Sequence, residues 1–189
     1  MKNRSSPGTI ILVLFMAVAM GVLLWRQSRQ GAAHPAPTAQ QDGVAVYFSP
    51  LGGCEDAVVS QIHSAQKTID MQAYSFTSKP IAAALVDAQS RGVHVRAILD
   101  KKDSIDDKYN LGTYLIDNHV PTFLDGAHAI AHNKIIIIDG KTVVTGSFNF
   151  TNQAEHSNAE NLVILMDKQV LADAYEHNFE EHLGHSLKQ

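Results

Sequence analysis

The sequence predicts an α/β protein with a mixed, mostly parallel sheet that is covered by helices on both faces. Short β-like runs alternate with amphipathic helical stretches from Val44 onward, which is typical of such sheets. Two apolar runs meet at Asp139-Gly140, a pair that favours a tight antiparallel hairpin. Of the 189 residues 45% are hydrophobic and 18% are charged, which is enough for a core, and the single cysteine excludes a disulfide framework.

Each element has a local reason. Ala57, Val58 and Ile62 recur at helical spacing in the first helix, and Gly92 ends the second helix before a strand. The predicted elements, in chain order, are a strand at 44–48, a helix at 55–66, a strand at 68–74, a helix at 79–90, a strand at 93–99, a helix at 107–118, a strand at 120–124, a hairpin formed by 130–138 and 141–146, a strand at 161–166 and a closing helix at 168–185.

A nearly unbroken apolar run occupies residues 9–25, after Lys2 and Arg4. This is the pattern of a secretory signal peptide or of a signal anchor. The length of the run lies between the two classes, and Arg26 argues against cleavage, so both alternatives stay open. Either one predicts a periplasmic or secreted protein, tethered to the membrane if the segment is retained.

The chain therefore divides into a targeting segment (1–29), a flexible Pro/Ala linker (30–43) and one catalytic domain (44–189). The formal net charge is −4, and the four basic residues among residues 1–31, which contain no acid, leave −8 for the remainder. Such a body lacks the general positive field of a protein that coats nucleic acid, so any phosphate must bind at a local site.

Four polar residues are spaced so that they can converge. His132 and Lys134 lie two apart in one predicted strand, and Ser147 and Asn149 lie two apart in its partner, so each pair shares a face. Lys134 supplies a positive charge, and the Ser147 hydroxyl and the Asn149 amide donate hydrogen bonds. This combination suits phosphate oxygens. The isoleucines at 135–138 would hold the group on a rigid strand.

The spacing His-x-Lys-x4-Asp-x6-Gly-Ser, from His132 to Ser147, resembles the signature of the phospholipase D superfamily. The resemblance covers most of residues 44–185 and is greatest to the small bacterial endonucleases that carry one copy of the motif. It implies a phospholipase D-like sandwich fold. It also implies structural roles for the motif residues Asp139 and Gly146.

The resemblance further implies a mechanism without metal or other cofactor. His132 would be the nucleophile that forms a phosphohistidine, Lys134 and Asn149 would bind the phosphate, and Ser147 would be hydrogen-bonded within the site. Glu160 would orient His132 by accepting its other ring N–H, as the acid does in a serine-protease triad. A second histidine is needed to protonate the leaving oxygen. Since the motif occurs once and no repeat is found, the sequence predicts a homodimer that shares one site.

Other interpretations of single features remain. Ser147 and Asn149 are residue types that also cap helices. His128 either lines the site entrance or is an exposed loop residue. His177, Glu181 and His185 fall at i, i+4 and i+8 on the last helix, with His182 beside them, and this face either binds a divalent ion or is simply solvated; we predict no metal.

We therefore expect a phosphodiesterase, foremost a non-specific endonuclease that hydrolyses DNA, with RNA as a second nucleic acid substrate. The alternatives are a membrane-anchored phospholipase D that hydrolyses phosphatidyl esters and a non-catalytic phosphate-binding protein on the same fold. The polar loops at 125–128 and 152–158 favour a nucleic-acid backbone over lipid tails. The expected partners are nucleic acid, a second copy of the chain and, if the first segment is uncleaved, the membrane.

Overall fold

The computed structural model describes residues 36–189. The predicted targeting segment 1–29 lies outside these residues. Within residues 36–189, none of the helices combines the length and the apolar character that crossing a bilayer requires.

The described chain contains nine strands and six helices. The strands are β1 (Ala39–Gln41), β2 (Val44–Ser49), β3 (Thr68–Ala73), β4 (His94–Asp100), β5 (Thr122–Asp125), β6 (Lys134–Ile138), β7 (Thr142–Gly146), β8 (Glu160–Leu165) and β9 (Leu187–Lys188). The helices are α1 (Cys54–Ser64), α2 (Lys79–Ser90), α3 (Lys101–Asp106), α4 (Gly112–Asp117), α5 (Asn152–His156) and α6 (Gln169–His185).

All nine strands form one mixed sheet in the order β1-β2-β8-β7-β6-β3-β4-β5-β9. The mixed α/β class is confirmed, but the expectation of a mostly parallel sheet is wrong. Only β3–β4 and β4–β5 pair in parallel, and the other six pairs are antiparallel. Parallel neighbours need a long crossover, which α2 provides between β3 and β4, whereas three residues join β6 to β7 and force the chain to reverse.

The sheet is covered on both faces, as predicted. Ile136 and Ile138 of β6 point into the larger core beneath α1 and α2. Ile135 and Ile137 point into a smaller core closed by Phe179 of α6. The run of isoleucines is thus explained by a central strand whose alternate side chains are buried on opposite faces.

The predicted helix at 107–118 is instead a turn followed by the short helix α4. The Asp107 side chain accepts a hydrogen bond from the N–H of Tyr109 at 2.8 Å, and Asn110 accepts one from Gly112 at 2.8 Å. Such side-chain bonds give the backbone an alternative to helical hydrogen bonds, so the helix begins only at Gly112.

Residues 39–41, which the sequence analysis assigned to the flexible linker, form β1 and pair with β2. Asp42 and Gly43 both have positive φ angles, 46° and 76°, as a tight primed hairpin turn requires. The Asp-Gly pair was a usable signal, but a strand of three residues gives too little apolar alternation to be recognised.

Candidate active site

Several strand ends meet at one edge of the sheet. β3 ends next to Tyr74 at this edge, β6 begins there with Lys134, β7 ends there at Gly146, and β8 begins there with Glu160. The motif residues, separated by up to 28 positions in sequence, are therefore neighbours because three successive strands run antiparallel.

His132 lies just before β6 and is exposed, so the predicted start of this strand at residue 130 is wrong. The backbone beside His132 is held by Tyr74 instead of by strand pairing, since the N–H of Tyr74 donates to the carbonyl oxygen of Asn133 at 2.8 Å. The ring centroids of Tyr74 and His132 are 4.7 Å apart. The Nζ of Lys134 donates to the carbonyl oxygen of His132 at 3.0 Å. The imidazole is therefore accessible to solvent while its backbone is fixed.

Tyr74 was given no role in the sequence analysis. The Nζ of Lys134 lies 5.2 Å from the centroid of the Tyr74 ring, within the range of a cation–π interaction. Its ring thus contacts both His132 and Lys134. A tyrosine directly after a buried strand was the available signal, but sequence alone does not show which neighbour the ring meets.

Lys134 is a buried cation, with 7% of its surface exposed. Burial lowers the pKa of Lys134, and the negative charge of Glu160 acts in the opposite direction. The carboxylate of Glu160 therefore partly offsets the effect of burial and favours the charged form of the amine.

Gly146 ends β7 in a conformation that requires glycine. Its φ is +148°, and a Cβ at this position would clash with the carbonyl oxygen of Asn161. That same oxygen accepts the N–H groups of Ser147 and Phe148, at 3.1 and 3.2 Å. The close approach of the two backbones sets the direction in which the next residues leave the sheet.

Ser147 and Asn149 therefore lie beyond β7 and not within it, contrary to the prediction. Phe148 and Phe150 alternate with them and are fully buried, which directs the two polar side chains the other way. The Oδ1 atom of Asn149 is buried and has no hydrogen-bond partner within residues 36–189. Neither polar residue caps the following helix, since Thr151 does so by accepting the N–H of Ala154.

Glu160 was predicted to accept a hydrogen bond from His132, but its hydrogen bonds in the structure come from other residues. Its carboxylate accepts hydrogen bonds from Ser147 Oγ at 2.7 Å and from Asn158 Nδ2 at 3.1 Å. Within the part of the chain that the structure describes, no hydrogen bond joins it to His132. Ser147 Oγ also accepts the side-chain and main-chain N–H groups of Asn161, both at 3.1 Å. Ser147 is thus a hydrogen-bonded link within the site, and Glu160 contributes negative charge near Lys134.

Two open clefts flank this group. One, of about 410 Å³, is lined by His132 and Lys134 and by Asn178 of α6. The other, of about 530 Å³, is lined by mainly polar side chains that include Asn149, Asn158 and Lys79. His132 lines the first cleft, and Tyr74, whose ring contacts His132, lines the second.

Asp139 lies at the opposite edge of the sheet, at the end of β6, where it and Gly140 turn the chain with φ angles of 52° and 62°. Partial burial by itself raises the pKa of Asp139. Hydrogen bonds from the N–H groups of Lys67, Thr68 and Gln66 outweigh this and hold the pKa below its usual value. These contacts hold the chain before β3 against the turn, and the structural role that the resemblance implies for Asp139 stays a prediction.

The helical face that offered an alternative metal site does not gather its residues. His177 and Glu181 are largely exposed and contact each other at 3.4 Å. His182 and His185 turn instead toward Asp125. His128, expected either at the site entrance or free in a loop, also contacts Asp125.

Comparisons with known proteins match most of the described residues. A family model described as "Cardiolipin synthase, PLD-like domain" matches residues 58–183. A protein named phospholipase D from Rickettsia bellii is 35% identical over 95% of this chain and 96% of its own length. A phospholipase D family member, Nuc from Salmonella typhimurium, has a crystal structure with TM-score 0.74 and 36% identity, covering 77% of this chain and 97% of that one. NucT from Helicobacter pylori follows with TM-score 0.69 and 25% identity, covering 76% and 97%.

Proposed function

The chain belongs to the phospholipase D superfamily and is a phosphodiester hydrolase, and from this premise we propose that it is an endonuclease that hydrolyses DNA through a covalent phosphohistidine. The observation that carries the proposal is an exposed imidazole, His132, which lines a cleft together with the buried cation Lys134 and contacts Tyr74 of the neighbouring polar cleft. A phosphodiester is anionic, so a neutral imidazole flanked by positive charge is a suitable attacking group.

In the proposed reaction one ring nitrogen of His132 attacks phosphorus, forming an N–P bond as the P–O bond to the leaving group breaks. A second histidine donates the proton to the leaving oxygen. Water then attacks phosphorus and gives a proton to the second histidine, the N–P bond breaks to restore neutral His132, and a phosphomonoester is released. Lys134 and Asn149 bind the non-bridging oxygens, whose negative charge increases in the transition state. The side-chain amide of Asn149 makes no hydrogen bond within residues 36–189, so its NH₂ group is free to donate to a phosphate oxygen.

We propose that the second histidine is His132 of another copy of the chain, in a homodimer whose site lies on the two-fold axis. A C2 interface brings identical residues together at its axis. The exposure of His132 and Ser147 is compatible with this, because both remain uncovered in a single chain. The role predicted for Glu160 in orienting the imidazole stays part of this proposal.

Nucleic acid is proposed as the substrate because the polar groups that line the two clefts are mainly amides, hydroxyls and the amine of Lys79, together with the carboxylate of Asp107. The net charge of −8 on residues 32–189 opposes DNA binding, so we expect weak binding that is strongly reduced by salt. We also propose that the domain acts in the periplasm or outside the cell, tethered to the inner membrane if the segment 1–29 is retained, because residues 9–25 have the composition of a secretory signal.

Phospholipid is the second candidate, and two observations favour it. The relative from Rickettsia bellii that aligns with 95% of the chain is named phospholipase D. An apolar hollow of about 260 Å³, lined by Ala82, Ala83, Leu111 and Tyr114, also adjoins the polar cleft at Lys79. An acyl chain would fit this apolar hollow, whereas a nucleic-acid backbone is anionic and would not bind in it.

The test compares turnover per chain of the full-length protein, purified in a mild detergent, on supercoiled plasmid, on RNA and on anionic phospholipid vesicles. The proposal expects DNA to be cleaved fastest, and the variant His132→Ala to be inactive on every substrate while retaining the wild-type circular dichroism spectrum. Faster lipid turnover would overturn the nuclease assignment, and full activity of His132→Ala would overturn the assignment of His132 as the nucleophile.

A matched variant separates the two substrates. Ala83 is exposed on α2 in the apolar hollow, so Ala83→Gln fills the hollow with a polar group without touching the core. Cleavage of DNA should be unchanged in this variant. If Ala83→Gln impaired plasmid cleavage as strongly as vesicle hydrolysis, the hollow would belong to the nucleic-acid path and our division of the surface would be wrong.

A further inference from the structure

Three histidines surround one buried carboxylate at the far end of the sheet edge that carries His132. Asp125 ends β5, and its carboxylate is fully buried. His128 lies in the loop that leads toward His132, while His182 and His185 lie on the last turns of α6. One ligand atom from each of these four residues falls within 4.8 Å of all the others.

The distances fit a tetrahedral cation site. The Oδ2 atom of Asp125 lies 2.8 Å from His182 Nδ1, 3.0 Å from His128 Nδ1 and 3.4 Å from His185 Nε2. Two ligand atoms bound to a tetrahedral Zn²⁺ at about 2.0–2.1 Å lie about 3.3 Å apart. The four atoms therefore need only small displacements to bind one ion.

Hydrogen bonding alone satisfies this cluster less well. One carboxylate oxygen has two lone pairs, yet three ring nitrogens lie within 3.4 Å of Oδ2, and one of them, His128 Nδ1, also lies 3.2 Å from Oδ1, which already accepts the N–H of Ala127. The centroids of the three imidazole rings also lie 4.8–5.2 Å from one another, so protonation of all three would place like charges in contact. A single divalent ion contacts all four atoms at once and requires neutral imidazoles, which removes both difficulties.

The surroundings orient the cluster as they do in metal centres. The N–H of Ala127 donates to Oδ1 of Asp125 at 3.0 Å, which fixes the carboxylate and turns Oδ2 toward the histidines. Partial exposure of His128 and His185 leaves a path for an ion from solvent.

We propose that Asp125, His128, His182 and His185 form a structural zinc site that fastens the carboxyl-terminal helix to the sheet. Four protein ligands close the coordination sphere, which is the arrangement of a structural and not of a catalytic zinc site. Three imidazoles and one carboxylate suit Zn²⁺ better than Mg²⁺ or Ca²⁺, which prefer oxygen ligands alone. Adjacent contacts reinforce the same junction, since β9 directly after α6 pairs with β5.

The test uses full-length protein without an affinity tag, stripped with a chelator and titrated with Zn²⁺ in a calorimeter. We expect one ion per chain, and at a free Zn²⁺ concentration 100 times Kd a rise in melting temperature of roughly 5–10 °C. Co²⁺ in place of Zn²⁺ should give the intense visible absorption of a tetrahedral site. Absence of stoichiometric binding at about 0.1 mM free Zn²⁺ would overturn the proposal.

Variants locate the ligands. His182→Ala and His128→Ala should each weaken Zn²⁺ binding by at least ~100-fold, more than the loss of an outer-shell partner costs. His128 is in a loop and half exposed, so its variant remains folded and keeps the test decisive if His182→Ala is unstable. His177→Ala, on the same helix but exposed and outside the cluster, is the matched control and should bind normally. Normal binding by His128→Ala, or loss of binding in His177→Ala, would refute this ligand set.

Discussion

Replacement of Asp139 tests whether the motif aspartate acts on stability or on catalysis. Its carboxylate accepts three main-chain N–H groups from the segment between α1 and β3: Lys67 at 2.7 Å, Thr68 at 3.1 Å and Gln66 at 3.0 and 3.2 Å. The residue also occupies the left-handed region with φ of 52°, which favours aspartate and asparagine over alanine. Both properties are lost in Asp139→Ala.

The expected cost follows from these contacts. Three partly exposed hydrogen bonds at about 0.5–1.5 kcal/mol each, together with about 1 kcal/mol for alanine in the left-handed conformation, lower the free energy of unfolding by about 3–5 kcal/mol. Asp139→Asn keeps the backbone preference and one accepting oxygen, but its NH₂ group faces an N–H donor. We therefore expect a smaller loss of about 1–2 kcal/mol.

Urea denaturation followed by circular dichroism measures both values, and turnover is measured well below the melting temperature. Because hydrogen bonds hold the pKa of Asp139 below its usual value, its contribution is present above about pH 4 and is lost as the pH falls through the lowered pKa. The difference in the free energy of unfolding between wild type and Asp139→Asn should therefore become smaller as the pH is lowered through this range. A loss of turnover above about tenfold with unchanged stability would refute the structural role and make Asp139 part of the reaction.

Three further outcomes are expected. Lys134→Ala should retain the fold and lose on the order of 10²–10³ in kcat, the usual cost of one transition-state donor, and wild-type kcat in this variant would exclude Lys134 from the site. Excess EDTA should lower thermal stability but leave the initial rate unchanged well below the melting temperature. The reason is that the backbone before His132 is also held without metal, by the hydrogen bond from Ala131 N–H to the Asp100 carboxylate at 2.7 Å. Loss of turnover that a divalent ion restores would instead assign the chemistry to a metal. Sedimentation should show a dimer at assay concentration, and an active monomer would contradict the shared site.

The motif residues and the strand on which the site depends could be predicted from the sequence. The spacing from His132 to Ser147 and the Asp139-Gly140 turn fixed an antiparallel hairpin, and hairpin pairing is local, so the register follows from the turn. The helices with clear apolar periodicity, α1, α2 and α6, were also predicted within a few residues, because burial of one face is written into their sequences.

Backbone details at the site could not be predicted. The assignment of His132, Ser147 and Asn149 to paired strands failed because the pairing ends at Lys134 and Gly146, where the chain turns away to meet Tyr74 and Asn161. Strand ends depend on which neighbours are present across the sheet, and strand periodicity continues past them without change. Tyr74 was missed for the same reason.

Long-range associations were decided only by the tertiary structure. The metal alternative considered from sequence used residues one and two turns apart on a single helix, His177 to His185, since a local pattern relates only residues of the same helix or strand. The cluster around Asp125 instead joins residues up to 60 positions apart, and it exists because β9 pairs with β5 and α6 packs on the sheet. Sequence thus determined the family and the hairpin beside which His132 and Lys134 lie, because these depend on local spacing. The sheet order, the hydrogen bonds of Glu160 and the histidine cluster followed from burial of both sheet faces, a property of the whole domain.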